Sequence, residues 1–395
     1  MRCLSILFVT FVLLAPSAVR AGGRPGNAEF IKGFEAAFAA AKEKGASKLS
    51  ALGERCYAAG FWREARKCFE AVLAEKPDDR LANTRLGRVY YRKKWMEPAE
   101  RDRLLREENA PRRLLGGKFL PPAEYDKALA AARAKAGWDF DFFFALGPRF
   151  RLYFKGEEDD AWSVRRLLES FFHAWEMEFG KKVGLPRDPL PVHVFDSRAA
   201  MEAFVGRATG QAVSAPAIFD PRTAAAYTYY TPKGGDFCRD MIVEAAARGV
   251  MGLLGNNGNF AGEWVHIGLV YYFRLARTGD ETVFIGAWRP YHPDLAGIAA
   301  RLAREGSLPA PDSFASLSAP AFSNDPGDTL RAASWALIYY LNHAGQGRWK
   351  ADFHAFLKGA MKGRASYKFL KKMKRWKEIE KGFAPFVRSL TPEEE

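Results

Sequence analysis

The residue pattern predicts an α+β protein in which an all-α N-terminal segment precedes a domain with a small sheet and a mostly helical C-terminal half. Three observations carry this. Residues 28 to 108 repeat small and apolar residues at helical spacing, segments between Arg149 and Tyr230 alternate polar and apolar as half-buried strands do, and after Asp236 only helix and loop patterns remain. Strands first and helices afterwards mark an α+β arrangement. At 395 residues, 48% hydrophobic and 14% aromatic, the chain can bury a sizeable core in two domains and is not disordered. The expected divisions are 1–21, a signal peptide; 22–116, a helical-repeat region; and 117–395, the second domain.

At the N-terminus Arg2 precedes an apolar stretch from Leu4 to Leu14, then Ala15-Pro16-Ser17 and small residues at Val19 and Ala21. This is a secretory signal layout with cleavage expected after Ala21, the bland alternative being an uncleaved anchor. The stretch is too short to span a bilayer, and no later apolar run approaches about 18 residues. The mature chain is therefore expected to be secreted or periplasmic, with no membrane span. Cys56, Cys68 and Cys238 are too few for a disulfide framework, and Cys56 and Cys68 suit buried helix positions better than a bridge. The formal charge of +14 favours acidic partners, anionic envelope polymers among them. Part of it lies in the run from Lys358 to Lys381, which reads as a solvated helical face. No nucleic-acid-binding motif accompanies it.

Within the N-terminal segment, Leu52-Gly53, Gly60, Ala65, Phe69 and Pro77 recur as Leu86-Gly87, Tyr90 and Ala99 at a 34-residue period. Small residues let two antiparallel helices approach and large ones fill the layer between repeats. The pattern resembles the tetratricopeptide repeat, with Cys56 where an aromatic is usual and Arg103 where the first copy has Phe69. One full and one degraded copy are too few to stand alone. They are expected to lean on the helix from Ala28 to Lys44 or on the next domain, as a structural cap or as a holder of a peptide or protein. Pro111, Gly116-Gly117 and Pro121-Pro122 read as a boundary before a helix from Ala123 to Ala136. Strands follow at Arg149–Phe154, Leu190–Phe195 and Ala224–Tyr230, with helices at Ala161–Phe179 and, capped by Ser197, up to Val205.

The segment Asp240-Met241-Ile242-Val243-Glu244-Ala245-Ala246-Ala247-Arg248-Gly249 follows two strand–helix units, and about twenty residues later comes Glu263-Trp264-Val265-His266-Ile267-Gly268-Leu269-Val270-Tyr271-Tyr272-Phe273. The second run is similar to the W-x-x-E-G-x-A-x-Y-F segment of gluzincin-like zinc metallopeptidases. There, an HExxH helix supplies two ligands and a general base, and a following helix supplies a third ligand. The resemblance covers Gly147 to Leu390, with Ser334-Trp335-Ala336-Leu337 matching the helix behind the site and Phe386 to Leu390 the closing segment. Matched residue by residue, it places Val243 at the first histidine, Glu244 at the general base, Ala247 at the second histidine and Ile267 at the third ligand. Trp264, Gly268, Tyr272 and Phe273 keep their expected types.

Valine, alanine and isoleucine offer a metal no lone pair, so the ordinary zinc site cannot assemble and no cofactor is expected. Without zinc, Glu244 has no activated water to deprotonate. Glu263 and His266 share a helix face at i, i+3, and with Glu244 they are the candidate cleft residues, either as an unusual metal site or as a plain hydrogen-bonded pair. No G-x-S-x-G elbow, P-loop or CxxC pair competes. The glycines of Gly255-Asn256-Asn257-Gly258-Asn259 read as an interhelical turn. The resulting expectation is an exported, non-catalytic peptidase relative that binds a peptide, a protein or an anionic envelope polymer. The alternatives are a hydrolase with a rearranged metal site, or a purely structural envelope protein. The arrangement further predicts helices at Asp236–Leu254 and Ala261–Arg277 packed together, with Val243, Ala247 and Ile267 between them.

Overall fold

The computed structural model describes residues 27–146, 149–180, 182–210, 213, 215–255, 262–279, 281–287, 295–362 and 375–390. The signal segment at 1–21, the interhelical turn at 256–259 and most of the basic run after Lys358 lie outside the described residues. Among the described residues no helix is long and apolar enough to cross a membrane.

Helices α1 (Asn27–Glu43), α2 (Ala46–Ala59) and α3 (Trp62–Glu75) open the chain. The small-against-large logic of the repeat holds here. A side chain at Gly53 would meet the Phe69 ring at 2.9 Å, so α2 and α3 touch because position 53 is bare. Cys56 and Cys68 are buried free thiols. A hydrogen bond to Cys68, then burial, pushes the Cys56 thiol up.

The second repeat does not form. The short helix α4 (Arg80–Arg85) stops at Gly87, whose φ of 77° is left-handed, and the chain enters a hairpin of β1 (Val89–Tyr91) and β2 (Lys94–Met96). Two short runs carrying aromatic residues flank a two-residue turn, and hairpin pairing satisfies their backbone once the left-handed Gly87 has ended the helix. Helix α5 (Pro98–Asn109) follows. The expected boundary at 109–122 is likewise a hairpin, β3 (Arg113–Leu115) and β4 (Lys118–Leu120), followed by α6 (Pro122–Ala136). The two hairpin–helix units are copies 24 residues apart: Tyr91-x-x-Lys94-Trp95-x-x-Pro98-Ala99-Glu100-x-Asp102 against Leu115-x-x-Lys118-Phe119-x-x-Pro122-Ala123-Glu124-x-Asp126. Each proline opens its helix, where a missing N–H costs nothing.

The sheet has strands β5 (Phe142–Leu146), β6 (Phe150–Phe154), β7 (Leu190–Phe195), β8 (Ala217–Asp220) and β9 (Ala225–Tyr229) in the order β5-β6-β7-β9-β8. The central three are parallel and both edge strands antiparallel. The β3–β4 turn docks on the β5 edge, with the Gly116 N–H donating to the Phe143 carbonyl at 3.0 Å. Helix α7 (Glu158–Trp175) ends in a π turn at Glu176–Gly180, and α8 (Arg198–Thr209) is capped by Ser197 as expected, its hydroxyl accepting from the Ala200 N–H at 3.2 Å. On the face under α8, His193 is sandwiched between the rings of Tyr153 and Tyr227, at 4.6 and 5.0 Å. Its Nδ1 accepts from Trp138 Nε1 at 2.9 Å.

The opposite face carries α9 (Gly235–Leu254), then α10 (Glu263–Leu275) and the short hairpin β10 (Arg277–Thr278) and β11 (Thr282–Val283). Side chains at Gly249 and Gly252 would strike Leu190 of β7 and Phe219 of β8, so these glycines set how closely α9 lies on the sheet. Helix α10 crosses the helix Thr329–Gly347 at Gly268, where an added methyl would lie 2.7 Å from the Ser334 carbonyl. This is the helix expected behind the site. The C-terminal helix Trp376–Arg388 closes the molecule. One hydrophobic cluster runs from Phe34 to Leu390, so the N-terminal helices do lean on the rest. The seam is polar at its centre. His343 Nδ1 lies 3.2 Å from the Ala58 carbonyl, which only accepts, so Nδ1 holds the proton and Nε2 accepts from the Tyr272 hydroxyl at 2.9 Å.

Candidate functional site

Helix α9 is buried nearly all round, between the sheet, α7 and α10. Apart from Arg239, its charged residues recur every fourth position, Asp236, Asp240, Glu244 and Arg248, and so share one stripe. Each carboxylate on that stripe meets an arginine. Arg277 reaches Asp236 at 2.8 Å and Asp240 at 2.7 Å. Glu244 accepts through Oε2 from Arg274 of α10 at 3.0 Å, and through Oε1 from Arg248 Nη2 at 2.8 Å and Nε at 3.0 Å.

Val243 and Ala247 are fully buried and Ile267 nearly so, all three in the main hydrophobic cluster. At the positions matched to the metal ligands the chain thus holds hydrocarbon, and the residues present do not fit a zinc ion. Among the described residues no three His, Cys, Asp or Glu side chains converge as metal ligands.

The electrostatics follow from the clamp. Burial alone would raise the Glu244 carboxyl, but the guanidiniums of Arg248 and Arg274 outweigh it and hold the group below the ordinary carboxylate range. A carboxylate so stabilised is a weak base, and both its oxygens are already accepting hydrogen bonds. Glu263 and His266 stand at the start of α10, half-buried, with Nδ1 of the histidine 3.5 Å from the carboxylate. Burial pushes His266 down, and the contact with His266 draws Glu263 down. The pair sits close enough to Glu244 and Arg248 to feel their charge. The structure therefore brings the three candidate residues into one neighbourhood, with arginines in it that the sequence reading did not single out. The four-residue spacing of Asp236, Asp240, Glu244 and Arg248 was the available signal. Arg274 and Arg277 gave none, lying 30 and 37 residues from their partners.

Compared with family models, with curated proteins and with solved structures, the chain matches none.

Proposed function

We propose that this protein is a non-catalytic relative of a gluzincin-type peptidase, exported from the cytoplasm, and that it works by binding or scaffolding. Its partner is a peptide, a protein or an anionic envelope polymer. The observation that carries the reading is the state of Glu244: the residue matched to the general base is held as a structural anion by Arg248 and Arg274. Element order supports the ancestry, since strand–helix units precede a helix laid on the sheet and a second helix packs against it.

The rearranged-hydrolase reading needs Glu244 to leave two arginines, which makes it the weaker account. Zinc analysis of protein purified without chelators, together with hydrolysis of a mixed peptide substrate, separates the two. No turnover and no retained zinc are expected in the parent. One zinc per chain that disappears in His266→Ala would favour the hydrolase. The ancestry has its own test in the triple variant Val243→His, Ala247→His, Ile267→Glu. If the three positions converge, it gains zinc binding that the parent lacks. A folded triple variant with no such gain would remove the main support for the peptidase relationship.

A further inference from the structure

The two hairpin–helix copies share a sequence and differ in surroundings. The β3–β4 hairpin is docked on the sheet edge and turns through Gly116-Gly117. The β1–β2 hairpin is held to α5 on one side, where the Tyr91 hydroxyl donates to Glu108 at 3.0 Å, and is open on the other. Tyr90 is 60% exposed, its ring 5.2 Å from that of half-buried Trp95, and the tip residues Arg92 and Lys93 and the strand residue Lys94 are exposed. Arg92 pairs with Glu108 at 2.7 Å, while Lys93 and Lys94 have no acidic partner among the described residues.

Both tip residues adopt left-handed backbone, with φ of 49° at Arg92 and 63° at Lys93, as a two-residue turn of this hand requires. Glycine meets that requirement without strain, and the second copy uses it twice. Holding L side chains in such a turn is unfavourable, and strain of this kind points to a use for the side chains themselves. Here the side chains are two cations at the end of a hairpin that carries an exposed aromatic face.

We propose that the β1–β2 hairpin is a binding surface for an acidic polysaccharide. Tyr90, backed by Trp95, packs on the apolar face of a sugar ring, and the tip residues Arg92 and Lys93 meet the carboxylates of neighbouring units, while Lys94, paired with Tyr91 across the ladder, lies on the other face. The net charge of +14 is complementary to such a polymer. The secretory layout of the N-terminus favours a sugar polymer over a nucleic acid as the polyanion this chain meets. The surface does not involve Glu244 and stands whichever reading of that site holds.

Binding of the full chain to polygalacturonate, measured by titration calorimetry at low salt, tests the proposal. Saturable binding that weakens with added salt is expected. The variant Arg92→Asn, Lys93→Gly forms the same turn with less strain, so it should melt no lower than the parent while its affinity falls about tenfold or more, roughly 1.4 kcal/mol. Tyr90→Ser should also weaken polygalacturonate binding with the charge unchanged, and should leave binding to polyglutamate, which has charge and no sugar face, unaltered. Absence of binding by the parent, equal binding by parent and both variants, or tighter binding to a DNA duplex than to polygalacturonate would each overturn it.

Discussion

Two buried acidic residues in this molecule have nearly the same surroundings, and only one, Glu244, stands out in the sequence as a candidate site residue. Asp102, fully buried on α5, accepts from Arg101 at 2.6 Å, Arg165 at 2.9 Å and Arg166 at 3.2 Å. Those arginines also pair with Glu169 and Glu281, joining α5 to α7 and to the β10–β11 hairpin. Glu244 on α9 is held by two arginines and joins α9 to α10 in the same manner. Nothing in the sequence around Asp102 suggests catalysis. That the carboxylate which the proposed peptidase relationship matches to a general base is held as Asp102 is held argues that both serve the fold.

The largest effect expected is at the site with more arginines. Asp102→Ala leaves buried guanidiniums without their shared anion and should destabilise by about 3–5 kcal/mol in urea unfolding. A loss under about 1 kcal/mol would mean that Glu169 and Glu281 suffice, and the two sites would not be comparable.

Acid titration of stability separates the clusters from the histidines. His193 is pushed down to about 3 by burial, so it stays neutral in the fold while the unfolded chain takes up its proton below the ordinary value of 6.5. Stability should therefore fall as pH drops from 6.5 towards 3, at up to about 1.4 kcal/mol per pH unit for this one proton. His193→Leu should flatten the slope between pH 6.5 and 4.5; an unchanged slope would place the proton uptake elsewhere. Below 4.5 the depressed carboxylates contribute. Glu178 is held down at about 2, burial being outweighed by Lys350 and His354, and Glu244 is held below its ordinary 4.5 by its arginines. Their stabilisation is complete above 4.5 and is lost as pH falls through the folded values, so Glu244→Gln should flatten only this acid limb.

The smallest effect belongs to the two hairpins. Because Arg92 and Lys93 sit where the second copy has glycines, Arg92→Asn with Lys93→Gly should raise stability by about 1 kcal/mol in thermal unfolding. A loss would mean that the Arg92–Glu108 pair outweighs the strain.

Much of the second half of the chain was legible because its elements are long or regularly patterned. Helices α9 and α10 and strands β6, β7 and β9 appear within a few residues of expectation, and Leu190–Phe195 matches at both ends. Strand β5, Phe-Phe-Phe-Ala-Leu, was missed because a run apolar at every position carries no period, and β8 because four residues give too little of one. The hairpins were missed for a different reason. Their strands are three residues long, and Leu86-Gly87, Tyr90 and Ala99 happen to fit a helical repeat. At the candidate site the apolar replacements at Val243, Ala247 and Ile267 could be read directly from the sequence. The arginines that define what Glu244 does could not, since an ion pair between α9 and α10 leaves no local pattern.

The central claim is that Glu244 is structural, and a double-mutant cycle between Glu244 and Arg274 tests it most directly. Breaking a buried pair from one side is costly, whereas replacing both partners by apolar groups is often close to neutral. Glu244→Leu and Arg274→Met should each destabilise by about 3 kcal/mol or more, and the double variant should lose much less than their sum. Glu244→Leu that leaves stability unchanged or increased while abolishing a hydrolytic turnover of the parent would contradict the account, because that is how a residue kept for catalysis behaves.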